Sequence, residues 1–194
     1  MRIIAISGGI GSGKSVVSRI VAVMGYAVYD CDSEAKRLMD VSAEIKTAIA
    51  TEIAADCIDS DGAINRPKLS GYVFNDSMLL DALNRMVHGA VREDFARWCD
   101  RHKDEAILFV ETAILYQSGM DAMVDEVWKV EASRQTRISR VMSRNGLTPQ
   151  QVESRIASQD SFIPPHLHLH ISHIDNNGTH PLLPQIQKML YCSK

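Results

Sequence analysis

Short continuous apolar runs and longer stretches of helical period take turns along this chain. Ile3-Ile4-Ala5-Ile6 opens the series, and Tyr26-Ala27-Val28-Tyr29, residues 106–110, 124–130 and 167–174 continue it. Runs of this length, rich in β-branched and aromatic residues, predict strands buried on both faces. A helix is predicted to open at Lys14 and run through Val16-Val17-Ser18-Arg19-Ile20-Val21, with Gly25 stopping it. Beyond the second strand, Ser33 is placed to cap a helix that carries Ala35, Leu38 and Met39 on one face. Residues 42–56 read as helix. Asp59-Ser60-Asp61-Gly62 is turn chemistry. Asn65 before Arg66-Pro67 predicts a capped helix through Phe74. Asp76 caps a helix over residues 78–87, and another spans 90–102. Residues 133–144 form a basic helix, and Thr148-Pro149-Gln150-Gln151 is a capping box that starts a helix ending at Gln159. A last helix covers 181–190.

Strands that alternate with helices imply an α/β fold: a five-stranded parallel sheet with helices on both faces. Residues 33–104 are too long for a single crossover. They read as a helical insert beside the sheet, so the expected organisation is a core of 1–32 and 105–194 with a helical subdomain at 33–104.

The junction of the first strand and first helix carries chemistry. Gly8-Gly9-Ile10-Gly11-Ser12-Gly13-Lys14-Ser15 is G-x-x-x-x-G-K-S in the context that a phosphate-binding loop requires. Glycines let the backbone turn tightly and aim successive N–H groups at phosphate oxygens, and the helix adds its positive dipole end. Lys14 is expected to reach the β- and γ-phosphates and Ser15 to hold Mg²⁺. A chance match in a chain this long is expected about once in a hundred sequences at average composition.

In such sheets ligands bind at the carboxyl ends of the strands. Asp30 and Asp32 end the second strand. In an extended segment they would face the same way and converge on one ligand, as general base or as partners of magnesium water; a helix-cap role competes with this. Glu111, at the end of the third strand, is a second candidate for the metal. Arg137, Arg140 and Arg144 share one helix face, where they would clamp a triphosphate or simply meet solvent. His166, His168 and His170 would share one face of the last strand, which reads as a surface face rather than a metal site. Lys68, Arg85 and His88 could touch a phosphorylated acceptor, with a plain surface role as the alternative.

Composition narrows the rest. Formal charge is 21 − 24 = −3, with no overall basic field for nucleic acid. No apolar run approaches a membrane span, and the first residues are expected to form a strand rather than a signal peptide. Four scattered cysteines without a C-x-x-C pair suit reduced thiols and a cytoplasmic setting.

The whole series resembles the bacterial dephospho-coenzyme A kinase family. The resemblance rests on the loop at 8–15, on Asp30-Cys31-Asp32, and on residues 61–69 (Asp-Gly-Ala-Ile-Asn-Arg-Pro-Lys-Leu). It continues through Phe74, Leu83-Asn84, His88, residues 140–146 (Arg-Val-Met-Ser-Arg-Asn-Gly), Arg155-Ile156-Ala157-Ser158-Gln159 and Asn177-Gly178. It implies a P-loop kinase core with a mobile helical lid at about 134–160 and ATP-dependent phosphorylation of the ribose 3′-hydroxyl of dephospho-coenzyme A. It implies ATP at Gly9, Ile10, Gly11, Ser12, Gly13, Lys14, Ser15, Val16, Arg144 and Asn177, with Mg²⁺ as cofactor. Asp32 would be the base, and Lys14 and Arg140 would stabilise the transferring group. Arg66, Lys68 and His88 with Asp32 would meet the acceptor. The partners are then small molecules, with no nucleic acid or membrane, and the chain is a monomer or weak homo-oligomer. Three places depart from the family pattern: Val16 replaces a hydroxyl residue, His88-Gly89 replaces His-Pro, and Ala113-Ile114-Leu115-Tyr116-Gln117 replaces Pro-Leu-Leu-Phe-Glu. A kinase of another nucleotide or small alcohol, or a nucleotide-switch binding protein, remains as the alternative.

Overall fold

A computed structural model describes residues 1–192. Five strands form one parallel sheet: β1 (Arg2–Ser7), β2 (Ala27–Asp30), β3 (Ile107–Thr112), β4 (Glu126–Glu131) and β5 (Ile171–Asp175), in the order β2-β3-β1-β4-β5. The expected α/β class and parallel sheet are therefore present. β1 is central, paired with β3 on one side and β4 on the other, with Ile4, Ala5 and Ile6 fully buried. Side chains alternate across the sheet. Ile4 and Ile6 point to a core that also holds Phe109, Trp128, Val130 and Ile174. Helix α1 (Lys14–Val23) covers this face with Val17 and Val21, and α8 (Leu182–Cys192) with Ile186 and Leu190. Phe109 meets Trp128 edge-on at 5.1 Å between ring centroids. The buried Trp128 indole donates to Glu126 at 2.8 Å, and Arg2 pairs with the same carboxylate, so the acid inside the sheet is satisfied.

The chain divides into two compact units, residues 1–30 with the described residues from 102 onward, and residues 31–101. The second unit is helical: α2 (Cys31–Val41), α3 (Ala43–Glu52), α4 (Arg66–Asn75) and α5 (Ser77–Arg101). Helices α2, α3 and α4 pack on α5, with Leu38, Ile49, Leu69, Val91 and Phe95 buried. Arg37 reaches the buried carboxylate of Asp94 at 2.9 Å.

Four local expectations are corrected. The separate helices at 78–87 and 90–102 are one 25-residue helix, because Gly89 is not followed by anything that removes a donor and three helices brace the rod. The helix expected over 42–56 ends at Glu52, and residues 55–57 form a short 3₁₀ turn. Helix α2 begins at Cys31, with no linker for Ser33 to cap. Strand five starts at Ile171 rather than 167. The His168 ring accepts the His170 N–H at 3.1 Å and meets the Val124 carbonyl at 3.1 Å, so side chain-to-backbone bonds take over there, and the bond from the Val127 N–H to the His170 carbonyl at 2.9 Å opens the ladder.

The long helix yields a stability test. A Cβ at Gly89 would meet nothing within 4 Å, and Gly89 does not have positive φ. Gly89→Ala is expected to stabilise the protein by about 0.5–1 kcal/mol through backbone entropy. Thermal unfolding should show the midpoint rising; a lowered midpoint would mean that the glycine is needed.

Candidate active site

The turn from β1 into α1 builds an anion cradle. Gly8, Gly11 and Gly13 take positive φ (152°, 79° and 97°), conformations costly to any residue with a Cβ. Gly13 occupies the cap position of α1 without a side chain to close it, so the helix presents its N-terminus to the loop. The Ser12 N–H donates to the Gly9 carbonyl at 3.1 Å and closes the turn. Lys14 folds back, its Nζ donating to the Gly8 carbonyl at 2.9 Å, which keeps the ammonium over the cradle.

Beside it, the Ser15 hydroxyl donates to Glu111 Oε1 at 2.9 Å. Glu111 is in register with Asp30 across β2 and β3. A hydroxyl and carboxylates at adjoining strand ends are the hard oxygen donors that Mg²⁺ takes, so the residues fit the ion. Asp32 stands differently from its expected place. Because α2 starts at Cys31, Asp32 lies in the first turn of a helix and not in extended chain, and the same-face argument for Asp30 and Asp32 fails. An acid in that turn also favours the helix dipole.

The other wall is made by α6 (Arg134–Asn145) and α7 (Pro149–Asp160), which share a small core of Ile138, Val141, Val152 and Ile156. Ser133 caps α6, and the predicted capping box at Thr148 and Gln151 is formed. Ile10, at the tip of the loop, packs against this core. Arg137 Nε donates to the Ile10 carbonyl at 2.9 Å, and among the described residues its buried Nη2 has no hydrogen-bond partner, which leaves a donor for an anion. Arg140 donates to the carbonyls of Ser12 at 3.4 Å and Asn176 at 2.8 Å. Arg137 and Arg140 thus converge on the loop. Arg144 does not: it is exposed and bonds Asn145. Arg134 faces Glu153. Asn177 is exposed, tied to Asp175, and its Oδ1 accepts from the Ser133 N–H at 2.6 Å, so it sets the start of α6.

Two residues at the loop carried no assigned role in the sequence, although Gln159 closes the Arg155–Gln159 run of the family resemblance. Asn176 is buried and donates from Nδ2 to the Ser12 carbonyl at 2.7 Å. Gln159 accepts the Ile10 N–H at 2.7 Å. A signal existed: an isoleucine between glycines of a polar loop needs a cover. A cavity of about 340 Å³ adjoins Gly8 and Gly9, walled by Leu115, Tyr116 and Phe162 with Gln117 and Lys129 as its polar rim.

In the second unit, Arg66 pairs with Asp40 at 2.6 Å and Lys68 with Asp56 at 3.4 Å, both on the surface. His166, His168 and His170 do not share a strand face. They lie outside β5, His166 meets Asp121 at 3.0 Å, and among the described residues no group of three or more metal-ligating side chains occurs. His88 is held below its ordinary range by burial, with Arg92 adding repulsion. The sign follows. Below the unfolded value of about 6.5 the unfolded chain binds the proton that the folded chain resists, so stability falls as pH drops through that value. Urea midpoints at pH 5.5 and 7.5 should differ less in His88→Asn than in the parent; equal differences would assign the acid sensitivity elsewhere.

Sheet order, cradle and paired arginines define a P-loop kinase fold. The family model for dephospho-CoA kinase matches residues 2–181. A dephospho-CoA kinase of Porphyromonas gingivalis is 38% identical over 157 residues, 81% of this chain and 77% of that one. One of Bacteroides fragilis is 34% identical over 196 residues, covering 96% and 90%. The crystal structure of TT1252 from Thermus thermophilus superposes with a TM-score of 0.75 at 28% identity, covering 98% of this chain and 95% of that one. The chain belongs to the dephospho-CoA kinase family.

Proposed function

We propose that this chain transfers the γ-phosphoryl group of ATP to the ribose 3′-hydroxyl of dephospho-coenzyme A, giving coenzyme A and ADP. The observation that carries the reading is the cradle at Gly8–Ser15, with Lys14 and Arg140 on it, in a chain whose family match spans nearly its whole length. Gly9 to Val16 hold the triphosphate through backbone N–H groups. Lys14 and Arg140 offset charge on the transferring group, with Arg137 as a further donor. Asp32 accepts the proton of the attacking hydroxyl, and Arg66, Lys68 and His88 serve the acceptor. Arg144 and Asn177 complete the nucleotide side. Ser15 and Glu111 would hold Mg²⁺, which when bound would supply neutralisation of phosphate charge. The α6–α7 hairpin acts as the lid that excludes water. The cavity beside Gly8 and Gly9 gives the adenosine end of the acceptor apolar walls.

A cytoplasmic setting follows the same reading, with small-molecule partners only and a monomeric or weakly associating chain. Its support is the buried thiols of Cys31, Cys57 and Cys99 and the acidic net charge. Among the described residues no helix is long and apolar enough to cross a membrane. The test is ADP release over a panel of acceptors. Turnover should require dephospho-coenzyme A. Turnover with another nucleotide or alcohol instead would reassign the acceptor, and slow acceptor-independent hydrolysis would favour a switch protein.

A further inference from the structure

Ile10 is held at every group it possesses. Its N–H donates to Gln159 Oε1 at 2.7 Å, its carbonyl accepts from Arg137 Nε at 2.9 Å, and its side chain packs against the α6–α7 core. The grip comes from both helices of the hairpin, since Arg137 is on α6 and Gln159 near the end of α7. The approach is close. A Cβ at Gly11 would lie 2.6 Å from the Arg137 carbonyl oxygen and 2.9 Å from its Cα. A Cβ at Gly9 would lie 2.3 Å from Arg137 Nη2. Downstream, the Ser12 carbonyl is held by Asn176 and Arg140.

We propose that Gln159 is a positioning residue for phosphoryl transfer: by accepting the Ile10 N–H it fixes the tip of the phosphate loop to α7, so that loop formation and hairpin docking are one event. This rests on the reading of Gly8–Ser15 as the ATP cradle. The physical case is an accounting of donors. Without Gln159 the part-buried Ile10 N–H loses its acceptor, and the loop relieves that only by turning this peptide toward water. Turning one peptide between Gly9 and Gly11 re-aims its neighbours, because glycines offer little resistance. The N–H groups of residues 11–15 then meet the phosphates less well. Gln159 needs no contact with ATP to act this way. It works through Ile10, as Arg137 does from the opposite side.

The experiment separates Gln159→Leu, which keeps bulk but removes the acceptor, from Gln159→Glu, which keeps the acceptor and adds charge. Calorimetry with Mg-ATP, which needs no acceptor, should show Gln159→Leu binding about ten-fold more weakly, the scale of an unmet backbone donor. Its kcat should fall by a similar factor. Gln159→Glu should recover kcat to within about two-fold while its KM for ATP stays raised, because the carboxylate accepts the same bond but repels phosphate. Loss of packing alone gives no such split. If Gln159→Leu binds ATP and turns over like the parent, or if Gln159→Glu recovers nothing, the proposal is overturned. Should Gln159→Leu fail to fold, amide exchange in the unaltered protein without nucleotide decides. Slow exchange at Ile10 supports the bond, and exchange at the rate of an open loop refutes it. Failure of the unaltered protein to bind Mg-ATP would instead refute the cradle reading itself.

Discussion

Asp32→Asn is expected to lower kcat by about 10²–10⁴-fold, the range assigned to general-base catalysis, while Mg-ATP binding changes little. The substitution keeps size and shape and removes only the proton acceptor. Asp32 is exposed in the first turn of α2, where its charge adds a helix-dipole contribution of about 0.3–1 kcal/mol to the fold. Steady-state turnover with dephospho-coenzyme A, beside calorimetry with Mg-ATP and a melting curve, separates the effects. Near-normal turnover would remove Asp32 from the base role and move attention to Asp30, which ends β2 in register with Glu111.

The second large effect is expected at Lys14. Its ammonium is held by the Gly8 carbonyl at 2.9 Å, directly over the loop. A preorganised cation of this kind acts where charge develops, and removing one such group costs about 10²–10³-fold in rate. Lys14→Ala should lose that much in kcat and also bind ATP more weakly, with the melting midpoint little changed. Arginine is a poor substitute, because a planar fork cannot occupy the place of a compact ammonium under a tight turn. An alanine variant with unchanged turnover would exclude Lys14 from the chemistry.

The fold was legible because its determinants are local. Continuous apolar runs named all five strands, and Asn65 and the Thr148 box capped their helices as expected. Failures occurred where distant groups overrode local pattern. Gly89 looked like a break until α2, α3 and α4 braced the helix that runs through it. The run at 167–170 looked like strand until His168 captured its backbone. Asp30 and Asp32 looked like a same-face pair until α2 began between them. At the candidate site, the loop, Glu111 and the arginine helix stand out in the sequence as candidates, since each carries its own chemistry. Which arginines serve the loop could not be read there: Arg137 and Arg140 do, Arg134 and Arg144 do not, and the crossing of α6 over the loop decides it. Gln159 and Asn176 act on backbone groups about 150 or more residues away in sequence, and no local spacing announces that.

Gly9 and Gly11 occupy positions that the general loop pattern leaves open to any residue. Gly9 lacks positive φ, so no backbone torsion demands it; what demands it is the Arg137 guanidinium lying where its Cβ would be. Gly11 faces the α6 backbone itself. The spelling Gly-Gly-Ile-Gly therefore records the neighbour as well as the ligand: two glycines cleared for a helix, and one isoleucine left standing to be grasped by it. Transplanted alone into another scaffold, this octapeptide would carry vacancies shaped for a hairpin that is not there. A designer borrowing it would need to move residues 133–160 as well, or refill position 9 with a side chain suited to the new surroundings, while position 11, at a φ of 79°, would stay glycine.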